Sequence, residues 1–201
     1  VVLVPLKRKA NPQLCNNVCK INLFHSGAYY FFGGLLMTLG SFLEFILGNT
    51  FPFVVFGTFG AFWLTFGATL TPFYNASVAY LPTDPAASAA NPTFQSTFAF
   101  FQVYMGLLCF VYLIISIRTN IIFFLIFLLL IPNFGCLAAY FFQHGANPKL
   151  LVAAGACDFI VCLLGWYLFF VQLLAAVDFP LNLPVGDLSR FIKGASERKM
   201  D

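Results

Sequence analysis

Two carboxylates stand inside stretches that otherwise carry almost nothing but apolar side chains: Glu44 in MTLGSFLEFILGNT and Asp158 in LVAAGACDFIVCLLGW. An acid in such surroundings carries a proton or answers a cation, because an unpaired charge in hydrocarbon is expensive. Glu44 lies one turn before a helix break at Gly48, where it faces the negative end of the helix dipole, so helix stability does not explain it. It needs a partner or a wet cavity; the plainer alternative is a snorkelling or lysine-paired surface acid. Asp158 is a candidate proton carrier or a partner to a cation, unless it sits nearer the interface than its run suggests. Gln102, Gln143 and Gln172 are cheaper polar groups that can bridge helices.

Nothing here builds an enzyme. There is no G-x-S-x-G, no H-E-x-x-H and no phosphate-cradling glycine loop, and the chain has only 2 His residues. Cys15 and Cys19 are spaced C-x₃-C without a second pair, and Cys109, Cys136, Cys157 and Cys162 fall in apolar runs as small hydrophobes, so neither a metal nor a cofactor is expected.

The elements that carry these residues are membrane spans. The 201-residue chain is 61% hydrophobic and 8% charged, with mean hydropathy +0.90, whereas soluble domains carry about 25% charged residues. The expected fold is an all-α integral membrane protein, a bundle of five transmembrane helices with short antiparallel connections. A polar, basic N-terminal tail covers about 1–27, spans fall at about 28–47, 52–72, 94–117, 120–142 and 150–175 (the helical domain being 28–177), and a basic cytoplasmic tail covers 178–201. Gly48 supplies a left-handed helix stop, Asn49 or Thr50 can cap the next helix, and Pro52 suits its first turn. Pro132 should kink the fourth span and free a carbonyl, which Asn133 could satisfy. Small residues form stripes at Gly34, Thr38 and Ser41 and at Gly57, Ala61, Thr65 and Ala68, suited to close helix packing. Asn75-Ala76-Ser77 matches a glycosylation sequon close to the membrane end at Pro72.

Charge sits mainly in the tails, as Lys7, Arg8, Lys9 and Lys20 and as Arg190, Lys193, Arg198 and Lys199, which reads as membrane-flanking charge rather than a nucleic-acid surface. Five spans leave Lys7, Arg8, Lys9, Lys20 and Lys149 on one side against Arg118, Arg190, Lys193, Arg198 and Lys199 on the other, an even split. One more span before Ala28 would make the count nine to one, the pattern of a six-span protein without its first helix. A chain that begins with Val is a processed product or a piece of a longer reading frame.

At Phe32-Gly33-Gly34, Glu44, Gly48-Asn49-Thr50-Phe51, Phe59-Gly60, Phe62-Trp63, Trp166-Tyr167 and Leu183-Pro184-Val185-Gly186 the chain resembles the acetate uptake transporter family, which includes the fungal acetate/ammonia membrane proteins and the bacterial succinate–acetate permeases. The resemblance runs from about Tyr29 to Arg190, and the GNTF and FGxFW runs are its specific part. It implies six-helix protomers assembled as a homo-oligomer (a hexamer), each with a substrate path, in the plasma membrane of a fungus. Carried over by motif, Glu44, Asn49, Thr50 and Phe51 lie in a hairpin near that path, Trp63 follows, and Phe59 forms a narrow constriction with Leu129. Where bacterial relatives often have Tyr, Phe59 lacks a hydroxyl donor. The implied activity is transport of acetate and similar small monocarboxylates, coupled to a proton, with Glu44 and Asp158 as carrier candidates and lipid as surroundings. The same resemblance also permits ammonium export, or a truncated non-conducting paralogue that assembles with full-length relatives. The family's N-P-x-P-x-G-L motif is matched only by Ala10-Asn11-Pro12-Gln13-Leu14.

Overall fold

The computed structural model describes residues 26–84 and 88–188, and those residues are helical with no named strand. Five helices are long and apolar enough to cross a membrane: α1 (Ser26–Ile46), α2 (Thr50–Leu70), α3 (Pro92–Ser116), α4 (Ile121–Phe142) and α5 (Pro148–Ala176). The protein is a multi-pass membrane protein of the all-α class. The chain divides into two compact units, one reaching through Phe94 and the other from Gln95 onward. The basic residues before Ser26, the Asn11-Pro12 pair, Cys15, Cys19, and Arg190, Lys193, Arg198 and Lys199 lie outside the described residues.

In the first unit α1 and α2 form a close antiparallel hairpin. From Tyr29 to Leu36 helix α1 is wound as a π-helix, with more residues per turn than an α-helix. Tyr29, Gly33, Gly34, Thr38 and Ser41 all meet α2. A Cβ on Gly33 would lie 2.5 Å from Cγ of Trp63, one on Gly34 would strike Leu64, and one on Gly60 would lie 2.6 Å from Oγ1 of Thr38. Ser41, 3% exposed, donates its hydroxyl across the hairpin to the Phe53 carbonyl at 2.8 Å. Tyr29 stacks on Trp63 with ring centroids 5.4 Å apart.

The stripe Gly34, Thr38, Ser41 therefore faces α2 as its spacing suggests. Its partner face on α2 is different from the one expected. Ala61 and Thr65 are exposed, and the seam runs through Gly57, Gly60, Leu64 and Gly67. Steps of four drift around a helix of 3.6 residues per turn, whereas alternating steps of three and four hold one face.

A connector of short 3₁₀ turns, Pro72–Tyr74, Val78–Tyr80 and Ser88–Ala90, leads to α3. The hydroxyls of Ser77 and Ser88 meet at 2.9 Å. Asn91, just before Pro92, holds both sides: its amide donates to the Tyr80 carbonyl at 3.1 Å and its Oδ1 accepts from Thr93 N at 2.9 Å.

In the second unit α3 and α4 pack antiparallel through Phe98 and Phe141 (centroids 5.0 Å apart), Gly106 against Phe134, and Tyr112 and Phe127 (5.4 Å). Helix α4 continues through Pro132 to Phe142. Asn133 does not turn to the carbonyl released by Pro132; its amide donates instead to Asp158 on α5 at 2.8 Å. A buried amide gains more from an acid than from a neutral carbonyl, because charge-assisted bonds are the stronger ones.

Helix ends satisfy their own backbone. Asn120 and Asn147 accept from Phe123 N and Lys149 N at 2.9 and 3.2 Å, capping α4 and α5. Left-handed residues close α1, α4 and α5: Gly48, His144 and Asp178, with φ of 78°, 50° and 51°. In each case the next residue's N–H reaches back to a carbonyl of the last turn, as Asn49 to Glu44, Gly145 to Tyr140 and Phe179 to Leu174, at 2.9, 3.0 and 2.9 Å.

The hairpin seam gives a direct test. Gly60→Ala forces Thr38 and the α1 backbone aside and should lower stability by about 1–3 kcal/mol. Gly40→Ala, at a position with nothing within 4 Å, should not. Thermal unfolding of the two variants in detergent measures the difference.

Candidate functional site

Glu44 and Asn49 are brought together by the way α1 ends. Gly48, with φ 78°, turns the chain so that Asn49 N–H closes on the Glu44 carbonyl at 2.9 Å. The same turn sets the Asn49 side chain beside that of Glu44, and Nδ2 donates to Oε2 at 2.7 Å. In most such turns an apolar contact occupies this place. Here it is a carboxylate–amide pair, so the partner Glu44 needs is Asn49 rather than a lysine. Asn49 opens α2 by position, but its side chain makes no cap. Thr50 is exposed and Phe51 half-buried at the start of α2.

Further along α2, Phe59 is buried and meets Phe62 edge-on at 6.5 Å. Trp63 is engaged with α1, stacked on Tyr29 and covering Gly33. In the second unit Leu129 is half-buried on α4.

Asp158 lies well inside α5 and is half-buried, and its Oδ1 accepts from Asn133. Asn133 is 3% exposed, and its own Oδ1 is buried without a partner. Gln102 on α3 is 0% exposed, with neither amide atom hydrogen-bonded. Sequence reading singles out Asp158 but assigns Asn133 to a carbonyl and Gln102 to bridging. The signal for the Asn133–Asp158 pair was present only as two polar residues on consecutive antiparallel spans. Among the described residues no group of three His, Cys, Asp or Glu side chains could hold a metal ion.

The segment Leu183-Pro184-Val185-Gly186 folds back on the α3–α4 turn. Gly186, with φ 65°, presents its carbonyl to Ile121 N at 2.9 Å, serving one of the orphan donors at the start of α4. Leu188 N donates to the Thr119 carbonyl at 3.0 Å, and Tyr167 donates its hydroxyl to the Pro184 carbonyl at 2.7 Å.

The family model that matches is the one described as the GPR1/FUN34/yaaH family, over residues 15–190. The chain is 46% identical over 173 residues to the protein alcS of Aspergillus fumigatus, covering 83% of this chain and 64% of that protein. It is 28% identical over 141 residues to acetate permease A of Emericella nidulans (68% of this chain, 46% of the relative). Identity to ammonia transport outward protein 2 of Saccharomyces cerevisiae is 29% over 141 residues, 70% of this chain and 47% of the relative. The chain thus spans less than two thirds of the length of these relatives. Among solved structures it is similar to the bacterial acetate channel SatP, with TM-score 0.64 and 21% identity, covering 89% of this chain and all of that one (100%). At that identity the likeness is one of fold.

The folded-back segment depends on Gly186. A Cβ there would lie 2.6 Å from Cγ2 of Ile121, and the positive φ adds strain for any other residue. Gly186→Ala should release the segment and speed hydrogen exchange at the Ile121 and Leu188 amides by about tenfold or more. Exchange measured by mass spectrometry reads this directly.

Proposed function

The chain belongs to the GPR1/FUN34/yaaH family, and we propose that it forms a transmembrane path for acetate and similar small monocarboxylates, moved together with a proton. The observation that carries this reading is the Asn133–Asp158 pair: a carboxyl kept inside a membrane-spanning helix and held by a buried amide does nothing for insertion and much for an acid–anion pathway. The name of acetate permease A supports the substrate class.

On this reading a small anion gives up its water in stages. Asn49 and Thr50 offer donors at the head of α2, and Phe59 further along the same helix supplies an apolar constriction that keeps a hydrated ion out. Glu44 governs entry. A carboxylate there holds the Asn49 amide and repels a second carboxylate. Asp158, inside α5, carries the proton through the apolar stretch of its own unit. The protein works in the plasma membrane as a homo-oligomer.

A second reading, ammonium export, is supported by the name of the Saccharomyces relative. The two part on competition. Labelled acetate uptake by fungal cells lacking their own acetate carriers should be blocked by unlabelled acetate and not by methylammonium; the reverse pattern, or export of ammonium alone, favours the second. Absence of any transport at normal membrane abundance, with co-purification of a longer relative, favours a non-conducting partner.

Glu44→Gln tests the entry role. It should flatten the pH dependence of the apparent KM for acetate while leaving that of the maximal rate in place. Initial rates across a pH series separate the two quantities.

A further inference from the structure

Asn133 is the one described side chain that touches Asp158 and also keeps a buried polar atom in reserve. Its Nδ2 is committed to Asp158 Oδ1 at 2.8 Å, while its Oδ1, on the other side of the same planar amide, is buried with no partner. An ionised carboxylate can only accept, so it must take the NH₂ end of the amide. A protonated one gains an O–H donor, which the oxygen end of the amide can accept, and keeps an oxygen that still accepts. Rotation about the last side-chain bond of Asn is broad and two-fold, so the exchange needs no backbone movement.

We propose that Asn133 is a proton-read switch for the carried anion: with Asp158 ionised it turns a carbonyl oxygen toward the interior of the unit, and with Asp158 protonated it turns an N–H donor there. The proton arrives on Asp158 from one side. Asp158 then donates to Asn133 Oδ1, and the freed Nδ2 donates to a monocarboxylate oxygen. When the proton leaves to the other side, the amide turns back, the donor is withdrawn and the anion faces an oxygen that repels it. This rests on the acetate reading above and gives it a coupling device.

The surroundings suit such a switch. Asp158 is the sole carboxylate in helices α3, α4 and α5, and their sole cation is Lys149 in the first turn of α5. A weakly acidic thiol, Cys157, stands beside it and interacts with it and with Cys136 on α4. The pairs Phe98–Phe141 and Gly106–Phe134 fix the register of α3 on α4. Gln102 lies midway between those levels, somewhat more than one helical turn, roughly 7 Å along the axis, from the level of Asn133. Its amide is wholly buried and unpaired at both ends, a further polar group at that depth with no partner in the fold.

The test uses the full chain in lipid. Infrared difference spectra between acidic and neutral pH, with asparagine labelled at the side-chain carbonyl carbon, should show the Asp158 carboxyl band and an asparagine amide band changing together. Asp158→Asn should abolish both, and Asn133→Gln should shift the amide band. An Asp158 band that titrates with the Asn133 amide unmoved overturns the switch, whether or not the protein carries acetate. In uptake, Asp158→Asn, which has no proton to gain or lose, should reduce the pH dependence of the maximal rate to less than about twofold. Wild-type pH dependence in that variant overturns the proposal. Wild-type protein that moves no acetate while the coupled bands persist sinks the acetate reading and leaves the switch standing.

Discussion

In hydrocarbon a backbone or side-chain polar group has only the protein to bond with, and this constraint governs every helix end and every buried polar residue in the chain. It explains why α1, α4 and α5 each finish with a left-handed residue and a backward hydrogen bond. It explains why Asn91, Asn120 and Asn147 stand where α3, α4 and α5 begin. It also explains why the tail returns its Gly186 carbonyl to Ile121 N, a donor that no preceding turn of α4 can serve. Threonine hydroxyls in the spans follow the same economy, as Thr38 and Thr71 bond the Gly34 and Gly67 carbonyls of their own helices at 2.8 Å.

Against that background the exceptions carry information. Glu44 could have been apolar, since the turn at Gly48 would still close on its backbone. Gln102 and Asn133 leave polar atoms unbonded at depth, each a cost of about 1–3 kcal/mol in a buried setting. A fold that satisfies its helix ends so thoroughly has no structural reason to keep these groups. On the proposed reading, these are groups that a polar solute would meet inside the membrane.

Much of the fold was legible because its signals are long and redundant. A span of some twenty apolar residues announces itself by composition alone, and Gly48 is the left-handed helix stop that the structure forms as read, although neither Asn49 nor Thr50 caps α2. What escaped was anything set by a choice between near-equivalent partners. Asn133 had a freed carbonyl beside it in sequence and an acid beside it in space, and only the packing of α4 on α5 decides between them. Likewise both Ala61 and Gly60 are small, but the seam selects Gly60 because Thr38 comes too close for a methyl group. His144 and Asp178 hide as helix stops because either residue is commoner elsewhere, although His, Asn and Asp tolerate the left-handed region better than most. The π-helical winding over Tyr29–Leu36 has no sequence signature beyond Gly33-Gly34, which permits it without requiring it.

The two carboxyl–amide pairs differ in a way that bears on how a path could work. Glu44–Asn49 joins residues five apart through one turn and stands exposed, so water can serve either group when the pair opens. Asn133–Asp158 joins two helices, and its amide is 3% exposed, so opening it means finding another partner. The first pair can trade its partner for solvent at little cost. The second can trade only for a proton, another buried amide or a passing solute. A cation at Asp158 would have removed that choice by holding the acid ionised, as salt bridges inside membranes do. An amide leaves the protonation state open and answers either one with a complete hydrogen bond, which is the property a proton-coupled step requires of the group beside its acid.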